Sequence, residues 1–190
     1  QELVPLTIKA APSDQRTLYL GTAQHGVYRS DDGGNSWRLA SNGLPAAVGA
    51  SPVTPVRNLV INPLDSRLVY VATEANGIYR TKNGGGSWEA INQGLPGQAA
   101  YRTYHPLLAI SLVNPSVIYT VIGYPVHSHL VRNALYKSTD GGDHWHKLVD
   151  LPNNIKLDLL TISEQNPYEL EIGYEGKTVR VYDPEQGALS

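Results

Sequence analysis

The chain has 190 residues, a formal net charge of −2 and no cysteine, which excludes disulfide frameworks, thiol catalysis and cysteine-type zinc sites. The small net charge predicts no nucleic-acid partner and no general attraction to anionic membranes. No apolar run approaches the roughly 20 residues of a spanning helix, so membrane insertion is not expected, and the lack of methionine indicates a chain that is processed or excised from a longer one.

Four short strand-like segments, separated by glycine, proline, asparagine or aspartate, recur along the chain. The first unit places them at 3–9, 18–22, 27–30 and 37–40, and the second at 56–61, 68–73, 78–81 and 88–91. The third unit places them at 107–112, 117–122, 135–138 and 145–149, and a worn fourth unit retains 172–174 and 181–182. Units one and two superpose with a constant shift of 51 residues, and no helical periodicity interrupts the series.

Four-stranded meanders repeated about every 50 residues are typical of propeller blades. The sequence therefore predicts an all-β β-propeller of antiparallel four-stranded blades, with a shorter-period solenoid as the alternative. We expect a single repeat array over 1–190, with blade units at approximately 1–45, 46–96, 97–152 and 153–190, the last one incomplete. Three arrangements fit this number of blades: a minimal ring, a segment of a larger propeller, and an open array completed by a partner molecule. We favour the segment of a larger propeller. Open blade edges would permit self-association.

Three copies of one motif, [Ser/Thr]-x-[Asp/Asn]-x-Gly-x-x-Trp, organise the repeats. Their defining residues are Ser30, Asp32, Gly34 and Trp37; Thr81, Asn83, Gly85 and Trp88; and Ser138, Asp140, Gly142 and Trp145. Short oxygen-bearing side chains bond nearby backbone N–H groups, and glycine adopts positive φ without strain. The tryptophan begins the return strand as a large apolar anchor. The motif therefore predicts a tight turn between the third and fourth strands of each blade.

This motif resembles the Asp-box, or BNR repeat, of β-propellers in sialidases, xyloglucan-degrading glycoside hydrolases, the sortilin receptor family and photosystem II assembly factors. The second copy has Asn83 where the family has aspartate, and asparagine offers the same local acceptor. In those families the box is a structural staple away from the active site. The resemblance therefore implies the fold and leaves the activity open.

In a meander, the turns between second and third strands and the crossovers to the next blade lie opposite the box turns. We call this side of each blade the long-loop face. An inserted loop at 123–133 is expected there, and loops on a rigid scaffold are where binding residues concentrate. The candidate binding residues are Tyr101, Arg102, Tyr104, His105, His127, His129, Arg132, Glu74 and Glu175. Aromatic rings beside arginine and histidine suit sugar stacking or recognition of an anionic group. A solvated loop whose tyrosines cover the next blade is the alternative.

No residue is assigned to catalysis. A glycosidase needs two carboxyl groups roughly 5–10 Å apart, and no such pair is evident. Arg57, Arg102 and Arg132 offer the arginines of a sialidase triad, but the early Arg-Ile-Pro-type motif of sialidases is missing. The recurring Arg29, Arg80 and Lys137 are interpreted as exposed strand charges.

We therefore expect a non-catalytic, extracellular or periplasmic module that binds a protein or glycan, without cofactor or metal ion. One alternative is a glycoside hydrolase, xyloglucanase- or sialidase-like, or a fragment of one. A further alternative is a factor resembling those of photosystem assembly.

Overall fold

The computed structural model describes residues 3–46, 53–74, 76–97, 106–127, 130–163 and 165–183. All the secondary-structure elements in these ranges are β-strands. These ranges contain no helix that is long and apolar enough to cross a membrane. The strands form three four-stranded sheets and one three-stranded sheet, each an antiparallel meander in chain order. The predicted fold class is confirmed, since the described residues are all-β and form propeller blades.

The chain divides into two compact units, Gln1–Asn92 and Gln93–Ser190. In the first unit, blade one contains β1 (Pro5–Ala11), β2 (Asp14–Thr22), β3 (Val27–Ser30) and β4 (Arg38–Leu39), and blade two contains β5 (Val56–Ile61), β6 (Val69–Thr73), β7 (Gly77–Thr81) and β8 (Glu89–Ala90). Every residue of β6 and β7 is buried. These central strands are therefore covered on both faces, as in a stack of sheets.

In the second unit, blade three contains β9 (Leu107–Ile110), β10 (Ile118–His127), β11 (Leu130–Ser138) and β12 (His146–Leu151), and blade four contains β13 (Leu157–Ile162), β14 (Glu169–Tyr174) and β15 (Lys177–Tyr182). One apolar cluster joins the two blades, with Tyr119 and Leu135 on the side of blade three and Leu170 and Ile172 on that of blade four. The blades of this unit therefore share a core.

The first box turn is closed by its serine and aspartate. The Ser30 hydroxyl donates to Asp32 Oδ1 (2.7 Å) and accepts the Gly34 N–H (2.9 Å). Asp32 Oδ1 also accepts the Ser36 N–H at 2.9 Å. Gly34 has φ 94°, in the left-handed region where a side chain is strained. The side chains thus supply the acceptors that a tight turn lacks in its own backbone.

The other two boxes reproduce these bonds. Thr81 donates to Asn83 Oδ1 (2.8 Å), which accepts the Ser87 N–H (2.9 Å). In the third box, Ser138 donates to Asp140 Oδ1 (2.8 Å), which accepts the His144 N–H (3.0 Å). Asparagine therefore replaces aspartate without altering the turn, because only its Oδ1 acceptor is used in common.

The box tryptophans differ in burial. Trp88 is 6% exposed, and its Nε1–H donates to the Ala40 carbonyl of blade one at 2.7 Å. Trp145 is 4% exposed. Trp37 is only half-buried, and its Nε1–H donates to the Gly34 carbonyl of its own turn at 3.1 Å. Trp88 thus anchors one blade on its neighbour, whereas the indole N–H of Trp37 is satisfied locally.

The interpretation of the recurring basic residues as exposed strand charges is wrong. The Arg29 side chain is 13% exposed, lies over the Tyr19 ring (5.6 Å to its centroid), and reaches the Gly84 carbonyl of blade two at 3.3 Å. Arg80 is 5% exposed and donates to Glu89 Oε1 through Nε (2.9 Å) and Nη2 (2.6 Å). Their long stems lie in the packed interior, and their guanidinium groups bond to the half-exposed carboxylates of Asp31 and Glu89.

Lys137 is the most buried of the three and pairs with a residue of blade four. Its Nζ lies 2.7 Å from Asp183 Oδ2, and the Tyr119 hydroxyl donates to the same oxygen at 2.7 Å. Asp183 directly follows β15, whereas the third strands of the other blades end on the first residue of their box. Blade four, which has no complete box in its sequence, therefore supplies a carboxylate to blade three.

Replacing Trp88 by alanine is expected to lower the free energy of unfolding by about 3–5 kcal/mol, because it empties a buried site and leaves the Ala40 carbonyl unpaired. Trp37→Ala is expected to cost less than half of that, and Asn83→Ala about 1 kcal/mol. Urea titrations followed by circular dichroism measure all three variants. Equal losses for Trp88→Ala and Trp37→Ala would contradict the anchoring role.

The boxes also predict an acid sensitivity. Hydrogen bonds from the Ser36 side chain and backbone lower the pKa of Asp32 to about 2. Burial opposes the shift at Asp140, but hydrogen bonds from the His144 backbone and ring prevail and lower its pKa to about 2. A carboxyl pKa that is lower in the folded state stabilises the fold above the ordinary value of 3.8, and this stabilisation is lost as the pH falls towards 2.

We expect the double variant Asp32→Asn/Asp140→Asn to show a shallower loss of stability over this pH range, since the natural Asn83 shows that asparagine closes the turn without titrating. Thermal melts at a series of acidic pH values measure the slope. The matched control is Asp143→Asn, which removes one carboxylate from the third box outside the defining positions. An unchanged slope in the double variant would contradict the assignment.

Candidate functional site

The long-loop face is formed in each blade by the turn that joins its second and third strands. In the first unit these turns lie between Thr22 and Val27 and between Thr73 and Gly77. In the second unit they are the end of the β10–β11 hairpin and the tight turn between Tyr174 and Lys177. The box turns lie at the opposite ends of the same strands, so each blade separates its stapled end from its long-loop end.

A β-bulge interrupts the register at this end of the first strand in three blades. It falls between Pro5 and Thr7 in blade one, between Val56 and Asn58 in blade two, and between Leu157 and Leu159 in blade four. The residues at the bulge are Leu6, Arg57 and Asp158. A bulge leaves one residue outside the ladder and turns its side chain to a new direction. The same backbone device therefore presents an apolar, a basic and an acidic side chain.

Arg57 is held in place at its bulge by a single ion pair. Its Nε lies 3.0 Å from Glu74 Oε2, and the two side chains are 40% and 36% exposed. The two terminal nitrogens of Arg57 form no hydrogen bond with any described residue. An arginine oriented through Nε offers the remaining N–H groups as a planar fork, which matches the geometry of a carboxylate or another oxyanion.

The prediction that the insertion at 123–133 forms a loop is wrong, because its two sides continue the β10–β11 ladder. β10 and β11 pair from Ile118↔Ser138 out to His127↔Leu130, whereas the equivalent strands β6 and β7 have five residues each. The insertion contains valine and tyrosine at positions that suit a pleated ladder. Its five extra residues on β10 extend the hairpin by about 16 Å. We call this extension, Gly123–His127 with Leu130–Asn133, the hairpin arm.

Two asparagines brace the hairpin arm. Asn133 is 1% exposed, and its Nδ2 donates to the carbonyls of Pro152 (2.8 Å) and Ile155 (3.2 Å). The Asn154 N–H donates to Val131 O at 2.9 Å, and its Oδ1 accepts the Val131 N–H at 2.8 Å. Asn154 has φ 57°, a left-handed conformation that asparagine tolerates better than most residues. The segment after β12 is thereby tied to the arm.

Sequence patterns alone single out neither asparagine. The adjacent Asn153 and Asn154 after Pro152 are a turn signal, but nothing in the sequence names the strand to which the turn is bonded. The bulges at Leu6, Arg57 and Asp158 have no sequence signal of their own.

The sequence candidates fall in different places. Tyr101, Arg102, Tyr104, His105 and His129 lie outside the described residues, and of His127 only the strand position is described. Arg132 is exposed on the hairpin arm, and Glu175 is exposed in the β14–β15 turn with φ 49°. Glu74 is brought to Arg57. In the described ranges, no group of three or more histidine, aspartate or glutamate side chains is placed to hold a metal ion.

Two carboxylates of the long-loop face already hold a cation. Glu74 is paired with Arg57, and Asp150 lies 3.0 Å from Lys147 Nζ. A carboxylate that already holds a cation is poorly suited to act as a nucleophile or base without first losing its partner.

Comparisons with known proteins agree with the blade architecture. The family model Sortilin-Vps10, described as sortilin, neurotensin receptor 3, matches residues 25–168. Xyloglucanase Xgh74A from Acetivibrio thermocellus is 25% identical in a match that covers 78% of this chain and 20% of the xyloglucanase. The chain thus spans one fifth of the length of that relative.

Two solved structures show the same fold. A GH74 xyloglucanase from Xanthomonas campestris superposes with a TM-score of 0.66 at 21% identity, over 93% of this chain and 28% of the enzyme. YCF48 bound to a D1 peptide superposes with a TM-score of 0.54 at 16% identity, over 95% of this chain and 54% of that protein. The resemblance to Asp-box propellers is confirmed by these matches together with the family model.

The braced hairpin arm yields a stability prediction. Asn133→Ala is expected to lower the free energy of unfolding by about 2–3 kcal/mol, because two backbone carbonyls lose their donor in a buried site. Arg132→Ala removes an exposed neighbour on the same strand and is expected to change stability by no more than about 0.5 kcal/mol. The rate of limited trypsin cleavage after Arg132 measures how readily the hairpin arm opens. Unchanged cleavage in Asn133→Ala would contradict the brace.

Proposed function

The chain belongs to the Sortilin-Vps10 family, and we propose that it is a non-catalytic Asp-box propeller that binds a protein or glycan ligand through its long-loop face. The observation that supports this proposal best is the single-anchored Arg57, whose terminal N–H groups have no described partner. An extracellular or periplasmic location is part of the same proposal.

The ligand group recognised at Arg57 is an oxyanion. Glu74 fixes the Nε side of the guanidinium at 3.0 Å, so little side-chain freedom remains to be lost when a ligand binds. A carboxylate, of an acidic peptide or of a uronic acid, accepts two parallel N–H bonds from such a fork. The ion pair lies in a half-exposed position, where both a ligand and water have access.

The hairpin arm is the second element of the proposal. It lies in the second unit. Its stiffness comes from the bonds of Asn133 and Asn154 to the neighbouring segment, so Arg132 is presented on a paired strand and not on a loose loop. A rigid carrier of an exposed cation suits recognition, because less conformational entropy is lost on binding.

A glycoside hydrolase, or a fragment of one, is the second candidate. It is favoured by the 25% identity to Xyloglucanase Xgh74A, whose name gives xyloglucan as its substrate. The match spans 20% of the length of that enzyme, so the activity of the whole enzyme comes to this chain only as a proposal. The assembly-factor alternative remains a prediction, since the likeness to YCF48 at 16% identity concerns the fold.

A glycan array that carries neutral and uronic-acid oligosaccharides, together with a library of peptides with acidic or amidated C-termini, tests the proposal. We expect retention of the carboxylate-bearing probes and a loss of affinity on the order of tenfold or more in Arg57→Ala, with Arg57→Lys intermediate because lysine lacks the planar fork. The matched control is Lys82→Ala, which removes one positive charge from the box-turn end, where Lys82 is 64% exposed.

A reducing-sugar assay on xyloglucan separates the two candidates. Retention without sugar release supports the binding module. Sugar release that disappears in Glu74→Gln or Glu175→Gln would instead establish the hydrolase and overturn the non-catalytic proposal. Equal affinity of Arg57→Ala and Lys82→Ala for every retained probe would overturn the role of Arg57.

A further inference from the structure

The first unit contains three asparagine–glycine pairs, Asn42–Gly43, Asn76–Gly77 and Asn83–Gly84. This dipeptide is where asparagine is lost most readily by spontaneous deamidation, because glycine has no side chain to hinder attack by its backbone nitrogen. We propose that Asn42 is a deamidation site of the native protein, and that the Asp-box protects Asn83 from the same reaction.

The reaction needs only water. The Gly43 nitrogen gives up its proton and attacks Asn42 Cγ, forming a new bond between the two atoms. The bond from Cγ to Nδ2 then breaks, so that ammonia leaves, and the resulting five-membered succinimide is opened by water. Hydrolysis at Cγ yields aspartate, and hydrolysis at the α-carbonyl yields isoaspartate, in which the backbone runs through the former side-chain atoms. No oxidant, reductant or metal ion takes part.

The attacking group is accessible at Asn42. Asn42 and Gly43 are both exposed, in a turn that the Leu44 N–H closes by donating to Ser41 O at 3.0 Å. Gly43 has φ 90°, and its own N–H donates to no described residue. The nucleophilic nitrogen therefore has no hydrogen bond to a described residue to break, and the Asn42 side chain has one, from Nδ2 to Gly86 O at 3.0 Å.

The same dipeptide in the second box is held on both sides. The Gly84 N–H donates to Arg67 O at 2.9 Å. Asn83 Oδ1 accepts from Ser87 N and Thr81 Oγ1, and Asn83 Nδ2 donates to Ser87 Oγ at 2.9 Å. Attack requires these bonds to break so that the nitrogen can approach Cγ. Since each hydrogen bond adds to the free energy of that opening, the rate falls by on the order of tenfold or more.

This protection belongs to the box design and not to one copy. The residue after the acidic position in the other boxes makes the equivalent bond, from Gly33 N to Arg16 O and from Gly141 N to Ser116 O, each 2.9 Å long. Every box therefore ties down the backbone nitrogen that would otherwise attack its own aspartate or asparagine.

Deamidation at Asn42 would act on the junction between blades one and two. The Asn42 carbonyl accepts the Trp88 N–H at 2.9 Å, and its Nδ2 donates to Gly86 O at 3.0 Å. An aspartate at this position replaces the donor with an oxygen that faces the Gly86 carbonyl, and isoaspartate also lengthens the backbone beside Trp88. The product is therefore less well docked than the asparagine form.

The experiment is peptide mapping of the folded protein after incubation at mildly alkaline pH and body temperature. Trypsin separates the three pairs into peptides 39–57, 68–80 and 83–102, and fragmentation assigns the mass change that accompanies exchange of NH2 for OH. We expect Asn42 to deamidate at least about tenfold faster than Asn83. Incubation in concentrated urea should bring the two rates close together, because it removes the protecting bonds.

Asn42→Gln is the matched control, since Gln93 occupies the corresponding position of the sequence repeat and its carbonyl accepts the Trp145 N–H at 2.9 Å. This variant should remove the mass change from peptide 39–57 and leave the Asn83 rate unchanged. Asn42→Asp, which imitates one product, should melt at a lower temperature than Asn42→Gln. Native rates at Asn83 that equal or exceed those at Asn42 would overturn the proposal. Equal melting of the two variants would contradict its consequence for the junction between blades one and two.

Discussion

The bond from the indole of Trp88 to the Ala40 carbonyl is the contact on which the first unit depends. A sheet of four short strands cannot bury an apolar face alone, and it becomes stable when it is stacked on a second sheet. The box turn carries Trp88 to that neighbour, and its indole combines a large apolar surface with one directed donor. The serine or threonine and the aspartate or asparagine of each box hold the turn that aims it.

Blade contacts are reinforced by polar groups that reach from one blade to the next. Tyr19 and Arg29 of blade one donate to carbonyls of blade two, and Tyr119 and Lys137 of blade three meet Asp183 of blade four. The tyrosine and the basic residue occupy corresponding positions on neighbouring strands in both units. A buried cation needs a partner in either case. Arg29 has the Asp31 carboxylate of its own blade together with the Gly84 carbonyl, and Lys137 has the Asp183 carboxylate.

Much of the fold is predictable from the sequence because its signals are local. The strand-like segment at 56–61 matches the observed bounds of β5, and the box turns follow from short-range chemistry. The burial of Arg80 and Lys137 is not predictable in this way, because it is decided by partners distant in sequence, or across a sheet. At the candidate site, the sequence indicates Glu74 but not its orientation of Arg57, since a bulge is set by register and not by residue type.

The backbone oxygen of residue 42 receives the Trp88 N–H, and that of residue 93 receives the Trp145 N–H. Because the side chain takes no part in this bond, asparagine in one copy and glutamine in the other are equally compatible with it. A duplicated repeat can thus change its residue at this position and keep the backbone bond. Because the repeats are bonded through backbone atoms at this position, they tolerate sequence divergence there. A site that is prone to deamidation can therefore occur in one copy and be absent from another.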